Sequence, residues 1–351
     1  MQVYKGNGER KMKQEKIILY LVVPCYNEEE VLDKTASVLR EKLHRLQDAG
    51  KISKKSKILF VNDGSKDCTW KMICEWAKKD KIFAGLCFSR NYGHQSAILA
   101  GMMAAREKAD AVVTIDADLQ QDIEALDDFL KCYEEGCDIV YGVRNDRNTD
   151  GFFKKMTAGI FYKLMHLLGC RTITNHADYR LMSKRALDAL AEFKETNLFL
   201  RGLNLSFLDE RYFKESDIVY FDVKEREAGQ SKYTFKKMLT LAMDGITSMS
   251  TRPLELIIVL GFLTCLVSVG IFISCIWDWA HGQVVAGWTT TVASTCLIGG
   301  MMLLSQGIIG EYIGKIYMES KGRPRYIVES MILREDEEDS VGKNQGSVEE
   351  K

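Results

Sequence analysis

Residues 109–120 read Ala-Asp-Ala-Val-Val-Thr-Ile-Asp-Ala-Asp-Leu-Gln. The β-branched run before Asp116 suits an interior parallel strand, buried on both faces. It stops at two carboxylates one residue apart, Asp116 and Asp118. Open α/β sheets bind ligands at the carboxyl ends of such strands. Two acidic groups at that edge repel each other unless a cation sits between them. A hard divalent ion with oxygen ligands, itself holding a diphosphate, meets that need. An ordinary acidic turn after a strand is the alternative that this pair alone leaves open.

Working outward, the same pattern recurs. Strands are expected at 17–23, 57–62, 83–88, 111–115 and 139–142, and helices at 28–48, up to about 79, 95–107 and 123–135. Strands alternating with helices predict an α/β fold with a mostly parallel, doubly wound sheet. After residue 150 the pattern loosens, with a helix expected near 152–168 and short strands near 177–182 and 217–223. Residues 1–15 read as a mobile tail, and the polar, acidic stretch from Arg334 as disordered.

The chain of 351 residues carries a formal net charge of −1, so no global basic field exists for nucleic acid. Its ten cysteines form no Cys-x-x-Cys pair, which removes the usual zinc spacing. The first residues are polar and basic, unlike a cleavable signal peptide.

Two stretches change the class. Glu255 is the single charge between Leu254 and Trp277, and none lies between Thr289 and Ile309. At ~1.5 Å per residue each is long enough for ~30 Å of hydrocarbon. The connecting loop, Asp278 to Trp288, has no Lys or Arg, whereas Lys236, Lys237 and Arg252 precede the pair and Lys315, Lys321, Arg323 and Arg325 follow it. The positive-inside rule then predicts a multi-pass protein of the cytoplasmic membrane with both termini in the cytoplasm. Phe235, Met238, Leu239, Ala242, Met243, Ile246 and Met249 fall at helical spacing just before the first stretch. An interfacial helix on membrane lipid accounts for them, and a helix packed on the domain is the alternative. The expected organisation is a tail (1–15), a catalytic domain (16–230), an interfacial helix (231–252), two spanning helices (253–315) and a cytoplasmic tail (316–351).

Three strand ends carry the chemistry: Val22-Val-Pro-Cys-Tyr-Asn-Glu-Glu29, Phe60-Val-Asn-Asp-Gly-Ser-Lys-Asp67 and Asp116-Ala-Asp-Leu-Gln120. In this order, with Ser89-Arg-Asn-Tyr-Gly-His94, Gly142-Val-Arg144, Asp178-Tyr-Arg-Leu181 and Arg226-Glu-Ala-Gly-Gln-Ser-Lys232, they resemble family 2 glycosyltransferases of the GT-A fold. With the C-terminal hairpin the chain is similar to the polyprenyl-phosphate glycosyltransferases over roughly residues 17–325.

The resemblance implies inverting transfer of a hexose from a nucleotide sugar, UDP-hexose or GDP-mannose, to a polyprenyl phosphate. It implies that Pro24, Tyr26, Asn27 and Glu28 shape the nucleoside pocket and that Asp63 meets the ring N–H of the base. Asp63 is otherwise a turn cap before Gly64, and Glu28 otherwise the start of its helix. Asp116 and Asp118 would hold Mg²⁺ or Mn²⁺, with Gln120 as a further ligand, and Arg90 would stand near the donor. A lipid monophosphate has its second pKa near ~6, so at neutral pH it needs positioning more than deprotonation. Arg144, Arg226 and Lys232 are the candidate cations, each otherwise a surface ion pair. Asp178 is a base or an orienter of sugar hydroxyls and Arg180. His94 lines the pocket or is a satisfied structural histidine, the second being the expectation. A homo-oligomer is left open.

A polysaccharide-extending synthase would carry Gln-x-x-Arg-Trp and more spanning helices, and neither occurs. A dinucleotide oxidoreductase would want Gly-x-Gly-x-x-Gly where Pro24-Cys-Tyr-Asn27 stands. A catalytically silent membrane scaffold is the rival from another class.

Overall fold

A computed structural model of the chain describes residues 16–145, 176–195, 217–222, 247, 250–281 and 287–334. The strands are β1 (Leu19–Cys25), β2 (Lys57–Asn62), β3 (Phe83–Phe88), β4 (Ala111–Thr114), β5 (Ile139–Arg144), β6 (His176–Ser183), β7 (Asp217–Phe221) and β8 (Val328–Ile332). They form one sheet in the order β7-β5-β6-β4-β1-β2-β3-β8. The helices are α1 (Leu32–Asp48), α2 (Thr69–Lys79), α3 (His94–Ala105), α4 (Leu126–Glu134), α5 (Lys184–Ala191), α6 (Arg252–Ala280) and α7 (Trp288–Ser320).

Strands β1 to β5 are buried on both faces because they are apolar at nearly every position. Along β1, Leu19, Leu21, Val23 and Cys25 join a core with α1, α2 and α4. Tyr20 and Val22 point the other way, into a core with α3 and α5. Each fully buried aliphatic side chain contributes about 1.5–3 kcal/mol. The expected mostly parallel, two-faced α/β sheet is thus borne out: among the described residues four pairings are parallel and three antiparallel.

The topology reverses between β1 and β4. From β1 the chain steps to β2 and β3 on one side, then returns to place β4 on the other. Such a reversal point is where open α/β sheets leave a crevice. Here the sequence widens it. The last β1–β4 partners are Val22 and Thr114, and Val22 O still accepts from Ile115 N at 3.0 Å. Pro24 comes next on that side and has no N–H to continue the ladder. The two strands part, and the residues after each line the gap.

Three expectations need correction. Helix α1 starts at Leu32 rather than residue 28, because residues 27–29 are bonded across to the turn after β2. The tail expected from residue 316 carries structure at its start: α7 reaches Ser320, and Val328–Ile332 pairs antiparallel with β3 as β8. The short apolar alternation of β8 gave no signal, since its partner lies some 240 residues away in sequence. The second apolar helix is also longer than the charge-free stretch that announced it, running to 33 residues.

Helices α6 and α7 are long and apolar enough to cross a membrane, by length and composition. Their large side chains stand outside any protein core, among them Ile258 (71% exposed) and Leu304 (72%). Near its end α7 is tied to the residues before α6: the Tyr312 hydroxyl donates to Ser250 O, and Lys315 Nζ to Thr247 Oγ1. The helix expected at 152–168 lies outside the described residues, as does most of the interfacial helix expected at 231–252.

Candidate active site

The loops after β1 and β2 are stitched to each other. Asn27 N donates to Ser65 Oγ at 2.9 Å, and Lys66 N returns a bond to Asn27 Oδ1 at 2.9 Å. Glu28 N donates to Thr69 Oγ1, Glu29 N to Asp67 Oδ2, and Cys68 N to Glu29 Oε2. Asn27 holds a left-handed backbone (φ 53), which asparagine tolerates better than most residues. That turn leaves Tyr26 on the surface, 39% exposed, while Pro24 stays buried in β1.

Asp63 ends β2 as a clamp. Its Oδ1 accepts from Tyr92 N at 2.7 Å and its Oδ2 from Gly93 N at 2.9 Å. Only 3% of the residue is exposed. Burial pushes its carboxyl pKa up, against the pull of those two N–H groups and of His94. The neighbouring Gly64 makes the clamp possible. It has φ +67, and a Cβ there would lie 2.3 Å from Arg90 C and 2.6 Å from Asn91 N. Both oxygens therefore carry a bond, and each runs to the 89–94 loop rather than to the turn at Gly64. Arg90 is exposed and lies 4.7 Å over the Tyr92 ring.

The acidic loop after β4 is fixed from three sides. Thr35 Oγ1, on α1, donates to Ala117 O at 2.6 Å. Gln121 is buried and grips Asp116 twice, donating from Nε2 to Asp116 Oδ2 at 2.7 Å and accepting from Asp116 N at 2.9 Å. Farther along, the buried Lys42 of α1 holds Glu124 and Asp127, each at 2.6 Å. Leu119 has a positive φ (54), which turns the chain so that Gln121 faces back to Asp116. Gln120 instead donates its backbone N–H to Asp118 Oδ1 at 3.2 Å.

Strand β6 brings in a third carboxylate. It runs antiparallel to β4 with Thr114 opposite Arg180, so Asp178 arrives beside the end of β4. Asp178 is 5% exposed and its Oδ1 accepts from Arg180 Nη2 at 3.0 Å. His94, first residue of α3, sits between the two acids: its Nε2 is 3.5 Å from Asp116 Oδ1 and 3.5 Å from Asp178 Oδ2. Burial raises the pKa of Asp116, and the charges of Asp178 and Asp118 raise it further, while His94 and Arg144 pull it down. Arg144 stands at the carboxyl end of β5, at the same edge of the sheet.

A continuous set of contacts thus runs from Asp63 through Tyr92 and Gly93 to His94, Asp116 and Asp178. Asp118, Gln120 and Arg144 lie around it, and Tyr26, Asn27 and Glu28 follow β1, with Asn27 and Glu28 bonded to the turn after β2. Arg226 and Lys232 are outside the described residues. Two members go beyond what the sequence pattern marks. His94, for which the sequence favours a structural over a pocket role, stands between two acids, and a lone histidine after glycine offers no pattern that decides between the two. Gln121 was passed over for Gln120, and their order in the loop depends on the turn at Leu119.

Among the described residues, no three His, Cys, Asp or Glu side chains stand in a metal-holding arrangement. An ion of the Mg²⁺ kind asks for less, being held by one or two carboxylates and the phosphates of its substrate. Asp116 and Asp118 are partly exposed hard oxygen donors on one loop and fit that requirement.

The family described as glycosyl transferase family 2 matches residues 20–191. The chain is 46% identical over 328 residues to the uncharacterised glycosyltransferase YkoT of Bacillus subtilis, covering 92% of this chain and 95% of that one. It is 37% identical over 315 residues to the bactoprenol glucosyl transferase of Shigella phage SfV, covering 88% and 97%. Among solved structures, the mannosyltransferase PcManGT of Pyrobaculum calidifontis, in complex with GDP-Man and Mn²⁺, aligns over 87% of this chain and 85% of its own at 15% identity and a TM-score of 0.45.

Proposed function

The chain belongs to glycosyl transferase family 2 and is a glycosyltransferase, and from that premise we propose that it moves a hexose, with inversion, from a nucleotide sugar to a polyprenyl phosphate at the cytoplasmic leaflet. UDP-glucose is the favoured donor, since a bactoprenol glucosyl transferase is matched over 97% of its length. The observation that carries the reading is the meeting of Asp116, Asp178 and His94 where β1 and β4 separate.

On this reading the nucleoside lies against Tyr26, Asn27 and Glu28, under the loop that Asp63 fixes, with Pro24 opening the gap beneath it. Asp116 and Asp118 would hold Mg²⁺ or Mn²⁺ with the diphosphate, where such an ion offsets the charge growing on the leaving nucleotide. Gln121 holds Asp116 in one orientation for that task. Asp178 has one oxygen on Arg180 and the other towards His94, an arrangement suited to orienting sugar hydroxyls. A general base is not demanded, because the acceptor is a phosphate already largely dianionic at pH 7, given its second pKa of ~6. Cations matter more: Arg144 at the crevice, with Arg226 and Lys232 for the lipid head group, would neutralise and aim the attacking oxygen.

Membrane attachment through α6 and α7, with residues 231–252 at the interface, is part of the same proposal. The return of the chain to the sheet as β8 supports a hairpin whose two ends lie on the side of the catalytic domain. The test is a panel of UDP- and GDP-hexoses with undecaprenyl phosphate and Mg²⁺ or Mn²⁺, read by the mass of the lipid product. A hexosyl-phosphoryl lipid from one donor, abolished by chelation, is expected. Absence of any glycosylated lipid with every donor, from protein shown to be folded, overturns the proposal.

A further inference from the structure

The segment that follows α7 reaches the candidate site from the far end of the chain. Strand β8 pairs with β3 from Gly85–Ile332 to Phe88–Val328, with an irregularity after Cys87. Just before β8, Ile327 O accepts from Ser89 N at 3.2 Å. The Tyr326 ring stacks on Phe88 with centroids 5.1 Å apart and planes 20° apart. Phe88 in turn meets Tyr92 edge-on at 5.5 Å. The Arg325 guanidinium, partly buried, donates to Phe193 O and fixes the start of the segment. Residues 89–94 therefore lie between two supports: Asp63 holds Tyr92 N and Gly93 N from one side, and Tyr326–Ile327 hold Phe88 and Ser89 from the other.

We propose that residues 325–332 are a positioning element of the donor site, a strap that holds the 89–94 loop and with it the placing of His94 between Asp116 and Asp178. The strap holds Phe88 and Ser89 and acts through the loop that follows them. Two properties set it apart from ordinary edge pairing. Its first aromatic residue packs on the last residue of β3, the point where the strand becomes the loop. Its first backbone bond goes to Ser89, beyond the strand end.

The kinetic consequence rests on the proposed transfer reaction, whereas the structural consequence does not, so two measurements separate them. Hydrogen exchange is followed in the full chain in detergent micelles for wild type, Tyr326→Phe, Tyr326→Leu and Tyr326→Ala. The amides of Tyr92 and Gly93 are expected to exchange roughly tenfold faster in Tyr326→Ala, the scale of losing an aromatic pair. Tyr326→Phe keeps the ring and is expected to match wild type, with Tyr326→Leu between. Amides in β1 and β2 are the reference and should not change. In parallel, KM for the nucleotide sugar is expected to rise about tenfold in Tyr326→Ala with Tyr326→Phe unaffected. Unchanged exchange at Tyr92 and Gly93, or an equal rise in β1 and β2, overturns the strap. Should the wild type transfer no sugar from any donor, the transfer reading falls and the exchange data alone decide the strap.

Discussion

Gly64→Ala tests the clamp from which the candidate site is built. Two costs act on it, and the structure separates them. Gly64 has φ +67, a conformation that costs an L-residue about 1–2 kcal/mol. Its new Cβ would also lie 2.3 Å from Arg90 C, 2.6 Å from Asn91 N and 2.8 Å from Arg90 Cα. All three are backbone atoms, so no side-chain rotation relieves the overlap. The 90–93 loop must move away, and Tyr92 N and Gly93 N cannot both stay on Asp63. Losing one hydrogen bond to a buried carboxylate costs about 1.5–3 kcal/mol. Gly50→Ala supplies the control. Gly50 has φ +74, but its nearest neighbour is the Lys16 Nζ at 3.5 Å, an ordinary contact with a flexible chain end. It carries the conformational cost alone. For a domain of this size each kcal/mol lowers Tm by about 2–4 °C. Gly50→Ala should therefore lower it by roughly 2–8 °C, and Gly64→Ala by clearly more, about 5–20 °C. Thermal unfolding followed by circular dichroism, with donor KM measured well below the transition, checks both. Equal Tm shifts in the two variants, or an unchanged donor KM in Gly64→Ala, would refute the reasoning.

Three further outcomes are expected. Asp118→Asn should reduce transfer by on the order of a hundredfold or more while leaving Tm near wild type; near-normal turnover in the product-mass assay removes the metal role from this loop. Gln121→Ala removes both bonds that Gln121 makes to Asp116, so the Mg²⁺ or Mn²⁺ concentration giving half-maximal activity should rise about 10–100-fold, as for other residues that support a metal ligand; an unchanged metal titration counts against it. Lys42→Met should flatten the acid limb of stability. Hydrogen bonding to Lys42, then to Arg45, holds the Glu124 carboxyl below its usual range, and Asp127 is likewise low despite its partial burial, through Lys42 and Lys51. A depressed folded pKa gives stability that is present above the ordinary carboxylate pKa of ~4 and lost as pH falls through the folded value. Below about pH 4 the wild type should therefore lose Tm more steeply than Lys42→Met, and parallel curves would show that the pairs contribute nothing.

The parts of this fold written in local pattern were legible. Runs such as Lys57–Asn62 and Phe83–Phe88 announce buried strands by composition, and their ends announce the ligand edge by a change to Asp and Asn. What stayed hidden depends on geometry that no local pattern carries. The start of α1 is decided by bonds from residues 27–29 to residues 65–69. The identity of the glutamine on Asp116 is decided by one left-handed residue, Leu119. His94 gains its neighbours because Asp63 fixes Gly93, because α3 starts there, and because β6 delivers Asp178. Each condition is simple, and no single stretch of sequence contains all three.

The two strand insertions that break the parallel order share a geometric consequence. A parallel strand offers the ligand edge the residues after its end, so β1, β2 and β4 contribute loops. An antiparallel strand offers the residues at its beginning. Strand β6 does so with Asp178, two residues into the strand and next to Asp116, its carbonyl accepting the Thr114 hydroxyl at 2.5 Å. Strand β8 does so with Tyr326 and Ile327, just before its first pair, against Phe88 and Ser89. Were either strand reversed, its first residues would lie at the opposite edge, a full strand length of roughly 17–20 Å away. The acid and the strap would then both be lost to the site. Antiparallel entry at these two places thus adds a buried acid and a backbone support to an edge that β1, β2 and β4 furnish with loops.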